Sequence, residues 1–182
     1  MTDDGELRAE VQQLLLQVTR APGQPYPGGA SPTEIADLER RLGLRLPTRY
    51  VDWLRVCQGE AVGPGYVLGT RTDRDGFFDV ASNGPFANGW RANGWLPIAD
   101  DGCGNPYVLI IGGDLDGFVG FVDTADPDTI AYLVASDVWL FFRFFLAHDL
   151  RREGWPFAPT FVLFIDPNLA RAPKDLLPWN GG

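Results

Sequence analysis

WLPIADDGCGNPYVLIIGGDLDGFVGFV, residues 95–122, is the stretch that decides the fold. Trp95-Leu96-Pro97-Ile98-Ala99 reads as a strand. Tyr107 to Ile111, a continuous apolar run rich in β-branched residues, reads as a second one suited to a central position. Gly117 to Val122 is a third, with Phe118 and Gly120 alternating against Val119 and Phe121. Asp100-Asp101-Gly102 and Gly112-Gly113-Asp114 supply the turns. Connections this short pair neighbouring strands antiparallel, because parallel neighbours need a long crossover. Ile130 to Val134 reads as one further short strand.

Outward from this sheet the chain turns helical. Leu7, Val11, Leu14, Leu15 and Val18 share one helical stripe, and Pro22-Gly23 ends it;. Ser31-Pro32-Thr33-Glu34 is a helix start: Ser31 and Glu34 can exchange hydrogen bonds with each other's amides, and Pro32 sits where its missing N–H costs nothing. Ile35, Leu38 and Leu42 form the buried stripe, with Gly43 as C-cap. A third helix is expected from Leu46-Pro47 to about Gln58-Gly59. After the sheet, Ser136 is placed to cap a fourth helix, in which Val138, Phe141, Phe142, Phe145 and Leu146 share a stripe. Trp139, Leu140 and Phe144 make that helix apolar nearly all round, so something must cover its outer side, and Trp155 to Ile165 is the expected cover. Phe161 to Ile165 can be read as an extra strand, with Pro159 and Pro167 on either side leaving the reading open. The order predicts an α+β fold, an antiparallel central sheet packed with helices.

Composition narrows function. The 182 residues are 45% hydrophobic and 13% aromatic, enough for one well-buried domain with extensions;. Fifteen Lys and Arg against twenty-four Asp and Glu leave a formal net charge of −9. Nucleic-acid backbones and anionic membranes are bound through cations, so this balance opposes both; it would attract a basic protein partner, and charge alone is equally explained by solubility. Met1-Thr2-Asp3-Asp4-Gly5-Glu6 has neither a basic n-region nor an apolar h-region, and the run Val138 to Ala147 is about half the ~20 residues a bilayer requires;. Cys57 and Cys103 make no disulfide framework;. A cytoplasmic protein with reduced thiols is expected.

Reactive chemistry is thin. His148 is the only histidine, so any Ser–His or Cys–His pair must use it, and its place near a helix C-terminus explains it without catalysis;. A metal would need oxygen ligands, from Asp114 and Asp116 with Asp123 or from Asp100 with Asp101. Asp114-Leu115-Asp116-Gly117 lacks the third acid and distal Glu of a calcium loop, and turn carboxylates account for these acids. Neither metal nor cofactor is expected. The glycines after the strands open no helix and cradle no phosphate. The interesting surface is the Gly/Asn-rich segment Thr72 to Gly94. There, Asp73, Asp75, Phe77, Phe78, Asp79, Phe86 and Trp90 combine anchoring rings with steering carboxylates;. The other reading, equally open, is that these rings fold inward as a satellite core. Asp73, Asp75, Phe77, Phe78, Asp79, Trp90, Asp114 and Asp116 are the candidate partner-binding residues.

Three segments, in order, resemble one family. They are Ser31-Pro32-Thr33-Glu34-Ile35 running into Leu42-Gly43-Leu44-Arg45-Leu46-Pro47-Thr48-Arg49-Tyr50-Val51-Asp52-Trp53-Leu54, then Leu96-Pro97-Ile98-Ala99-Asp100-Asp101-Gly102-Cys103-Gly104-Asn105, and the aromatic helix Val138 to Leu146. Together they resemble the SUKH superfamily, the domain shared by bacterial immunity proteins and a fungal cell-wall-synthesis regulator. The resemblance covers roughly residues 31–147 and implies a SUKH-like fold; with it the chain reads as residues 25–150 forming the SUKH-like α+β core, 1–24 an amphipathic helix of the same domain, and 151–182, which the resemblance does not cover, an extension packing on the core. It implies a non-enzymatic protein, monomer or homodimer, that binds and neutralises a cognate toxin, a nuclease or another basic protein, in bacterial competition. The alternative it leaves is a regulatory or scaffold domain binding an endogenous protein. The matching motifs read as structural, and no toxin-binding residue is carried over from them.

Overall fold

In the computed structural model, residues 3–18, 28–72, 78–83, 90–151 and 154–180 are described. Helix α1, Asp4–Gln17, buries Leu7, Val11, Leu14 and Leu15, the stripe its spacing dictates;. Helix α2, Pro32–Leu42, opens with a complete capping box. The Ser31 amide donates to Glu34 Oε2 at 2.7 Å, and the Glu34 amide donates to Ser31 Oγ at 3.3 Å;. It ends at Gly43, whose φ of 63° is left-handed backbone that a glycine adopts without strain;. Helix α3, Thr48–Leu54, is shorter than its apolar pattern suggests, yet Tyr50, Trp53 and Leu54 are fully buried.

Five strands form one antiparallel meander in chain order: β1 Tyr66–Val67, β2 Trp95–Asp100, β3 Pro106–Ile110, β4 Val119–Phe121 and β5 Tyr132–Ala135. Every pairing is antiparallel, as the short turns require;. β2 carries Pro97 in its interior, where a proline removes a ladder donor, and the β2–β3 register shifts between Pro97 and Ala99 to absorb it;. Tyr107 pairs with Phe121, and Phe121 with Tyr132, so an aromatic row crosses three strands at one end of the sheet.

Helix α4, Val138–Arg151, is apolar nearly all round because it is covered on several sides. Phe141 and Phe145 pack on Tyr107 of the sheet, Phe142 stacks on Trp53 of α3 at 3.6 Å, and Phe144 meets Trp155 and Phe161 beyond the helix. α1 closes another side, with Glu10 paired to Arg143 and the Arg8 guanidinium over the Trp139 ring. Trp155, Val162, Leu169 and Leu177 are buried, so the segment after α4 shares the core.

Two local expectations need correction. Phe161 to Ile165 is not a strand but part of helix α5, Pro159–Ile165, with Pro159 starting it;. Asp137, not Ser136, caps α4: its Oδ1 accepts from the Trp139 amide at 2.8 Å. Ser136 instead donates its amide and hydroxyl to Asp166, at 2.6 and 2.5 Å. Among the described residues no helix is long and apolar enough to cross a membrane.

Candidate functional site

Because the sheet is a meander, the β2–β3 and β4–β5 turns lie at the same end, and the β3–β4 turn lies at the other. The two like-sided turns are tied together: the Thr124 amide and hydroxyl both donate to Asn105 Oδ1, at 3.1 and 2.9 Å. Each turn is built by its own carboxylates. Asp100 Oδ1 accepts from the amides of Gly102 and Gly104, and Asp101 Oδ1 accepts from those of Cys103 and Asn105;. Asp123 Oδ1 accepts from the Ala125 amide, and Asp126 Oδ2 from the Thr129 hydroxyl. Asp123, Asp126 and Asp128 are exposed.

Aromatic side chains border these acids. Tyr66 donates its hydroxyl to Asp100. Phe121 stacks on Tyr132 with ring centres 4.9 Å apart, and the Tyr132 and Phe157 rings meet in a T-shaped contact with centres 5.6 Å apart. Phe157 is 59% exposed, a large ring left in water;. Burial pushes the Tyr132 hydroxyl up to about 12, and repulsion from the Asp101 and Asp123 charges adds to it;. Burial raises Tyr66 to about 12 in the same way, with the Asp100 charge beside it. The Asp100 carboxyl itself is held above the usual range, first by burial, although the Gly102 and Gly104 amides pull it back. The arrangement therefore combines fixed negative charge, held by neutral amides, with partly exposed ring faces.

The chain offered a signal for this site that motif reading passed over. From Ala92 to Phe142 there are eight aspartates and no Lys, Arg or His. Acids there have no local cation, and the topology brings five of the eight to one end.

The predicted candidates are dispersed. Asp73, Asp75, Phe77 and Phe86 lie outside the described residues. Asp79 is 1% exposed, paired to Arg41 at 2.6 Å and accepting from the Ser82 hydroxyl and the Ala81 amide. Trp90 is buried against Val108 and Val122 and donates its indole N–H to the Pro127 carbonyl at 2.8 Å. Phe78 is half-buried, edge-on to Tyr66, with the Arg71 guanidinium over its face. Trp90 is thus turned inward and Asp79 is buried with it, whereas Phe78 is only partly covered. Asp114 and Asp116 are exposed in the β3–β4 turn, where Asp116 Oδ1 accepts from the Gly112 amide at 2.6 Å. β4 separates them from Asp123, which stands at its opposite end.

The reactive candidates do not converge on a cleft. Cys57 is buried in the core, Cys103 is exposed in the β2–β3 turn, and His148 packs its ring on Trp155. Among the described residues no three His, Cys, Asp or Glu side chains group closely enough to hold a metal ion. A cleft of about 950 Å³ runs between the starts of α1 and α4 and the tail. Several of its polar groups serve the fold: Arg49 pairs with Asp4 and Asp137, and Asp166 holds Ser136.

Compared with known proteins, residues 29–143 match the SMI1 / KNR4 family (SUKH-1), well over half of the chain. No curated protein matches it.

Proposed function

The chain belongs to the SMI1 / KNR4 family (SUKH-1), and from that premise we propose that it is an immunity-type protein, cytoplasmic and non-catalytic, that neutralises a cognate toxin by binding it. The observation that carries this reading is the acidic turn end of the sheet, where carboxylates are held by amides and Ala92 to Phe142 supplies no cation. A basic toxin, a nuclease among them, presents the complementary potential on the surface that meets its substrate, and an acidic protein seated there denies access. Binding of this kind needs shape and charge but no cofactor. The net charge of −9 extends the attraction beyond the contact and speeds encounter;.

If the chain encoded beside this one is a secreted toxin, the test is co-expression with it. Rescue of growth, together with a complex that survives purification, is the expected result. No rescue and no complex would defeat the reading. Capture of a housekeeping protein instead would favour a regulatory or scaffold role.

A further inference from the structure

Phe157 stands 59% exposed at the end of the row Phe121–Tyr132–Phe157, which runs along the acidic turn end. The row reaches the turns by register: Tyr132 pairs with Phe121, two residues before Asp123, and Asn105 ties that turn to Asp101 through Thr124 and the Asp101 carboxylate. A ring face beside carboxylates whose partners are amides has one complementary chemistry. A planar guanidinium lies flat on an aromatic ring and presents forked N–H donors to a carboxylate, whereas an ammonium is a compact, strongly hydrated charge that gains less from the ring.

We propose that this end of the sheet is the partner-docking surface and that it reads arginine in preference to lysine, seating a guanidinium against Phe157 and Tyr132 with Asp101 and Asp123 as acceptors. The inference rests on the reading above only in taking the partner to be a basic protein. Asp101 keeps its turn-building contacts through Cys103, Asn105 and the Asn105 side chain, so the acceptor is already positioned before a partner arrives;. Phe157 is more than half exposed and sits outside the buried core, so its ring can be contacted without unpacking the core.

The experiment titrates the full chain with oligo-arginine and oligo-lysine peptides of equal length and maps the bound state by amide NMR shifts. The arginine peptide is expected to bind about three- to fivefold more tightly, the ratio that one exposed cation–π contact supplies. Its shifts should centre on residues 101–105, 123–132 and 157. Phe157→Ser, which alters no charge and no buried atom of the core, should erase the preference and leave the lysine affinity within about twofold. Asp123→Asn with Asp128→Asn should weaken both peptides together. Equal affinity of the two peptides, a preference that survives Phe157→Ser, or shifts centred elsewhere would overturn the proposal. None of these readouts uses a toxin, so a failed growth rescue with an intact arginine preference would fault the immunity reading alone. Rescue by a chain lacking the preference would fault only this one.

Discussion

The helical first half and the turn end of the sheet are both rich in charge, and they spend it in opposite ways. Among the helices, arginines gather the carboxylates. Arg8 joins Asp4 to Asp52, Arg41 joins Asp37 to Asp79, Arg45 holds Glu39, and Arg49 spans Asp4 and Asp137. These pairs set how segments dock, α2 on the turn at residues 80–82 and α3 on the start of α4. At the sheet end the same residue type, aspartate, is satisfied by amides and hydroxyls. An amide contributes a hydrogen bond but no full charge, so the negative potential there is left standing toward solvent. Charge in the first region specifies structure; in the second it is free to specify a partner.

Breaking that contrast is easiest at its most buried pair. Arg41→Leu leaves Asp79, 1% exposed, without its cation in the interior. An uncompensated charge in a fully buried pair costs 3–5 kcal/mol, and because Arg41 is only partly buried we expect about 2–3 kcal/mol in urea denaturation. Arg45→Ala serves as the control: that side chain is 91% exposed, and its pair with Glu39 should be worth no more than about 0.5 kcal/mol;. Equal losses from the two variants would mean that the helical pairs are decoration and not docking devices.

Acidification sharpens the contrast through its sign. Asp100 and Asp166 have carboxyls raised above 3.8, in each case first by burial. The folded state binds their protons more readily than the unfolded chain does. Their contribution is fully present below the ordinary carboxylate value and is lost as pH rises through the raised folded values. Glu34 and Asp37 run the other way, lowered by hydrogen bonds from Ser31 and from Arg40 respectively. What they add is present above the ordinary values, 4.5 and 3.8, and is lost as pH falls through the lowered ones;. Carboxyl carbon NMR should therefore show Asp100 and Asp166 titrating before Asp37 on the way down from neutrality. Amide exchange should then loosen the first turn of α2 while the turn at residues 101–105 stays protected. The reverse order would contradict the assignment of the two regions.

How much of this the residues disclose beforehand depends on distance along the chain. The α2 start is legible because Ser31 and Glu34 are three apart and need nothing else. The meander is legible because turns of a few residues admit one pairing sense. The α4 cap is not. Ser136 and Asp137 are both competent, and the choice is made by Asp166, thirty residues on, which takes the Ser136 amide and hydroxyl. Phe161 to Ile165 is too short for its period to separate helix from strand, and Pro159 decides it by opening a helix. Asp79 and Trp90 look like surface residues in their Gly/Asn-rich setting. Arg41 and the Pro127 carbonyl, 38 and 37 positions away, draw them inside. The acidic end is written in the cation-free stretch Ala92 to Phe142, but only the strand order brings its two turns together.

The smallest effect is the most discriminating, because the two regions differ in sign there. Asp123→Asn with Asp128→Asn keeps the acceptor that Asp123 offers the Ala125 amide and removes two charges from a cluster that has no cation partner among the described residues. Relief of repulsion should raise stability by about 0.2–0.5 kcal/mol at low salt, and the gain should vanish near ~1 M salt, where screening acts over about 3 Å. Arg45→Ala should lose a comparable amount under the same conditions, since there an attraction is removed;. Chemical denaturation at two ionic strengths measures both. If the asparagine variant loses stability instead, the sheet-end carboxylates are holding the fold together as charges, and the surplus potential assigned to the partner does not exist.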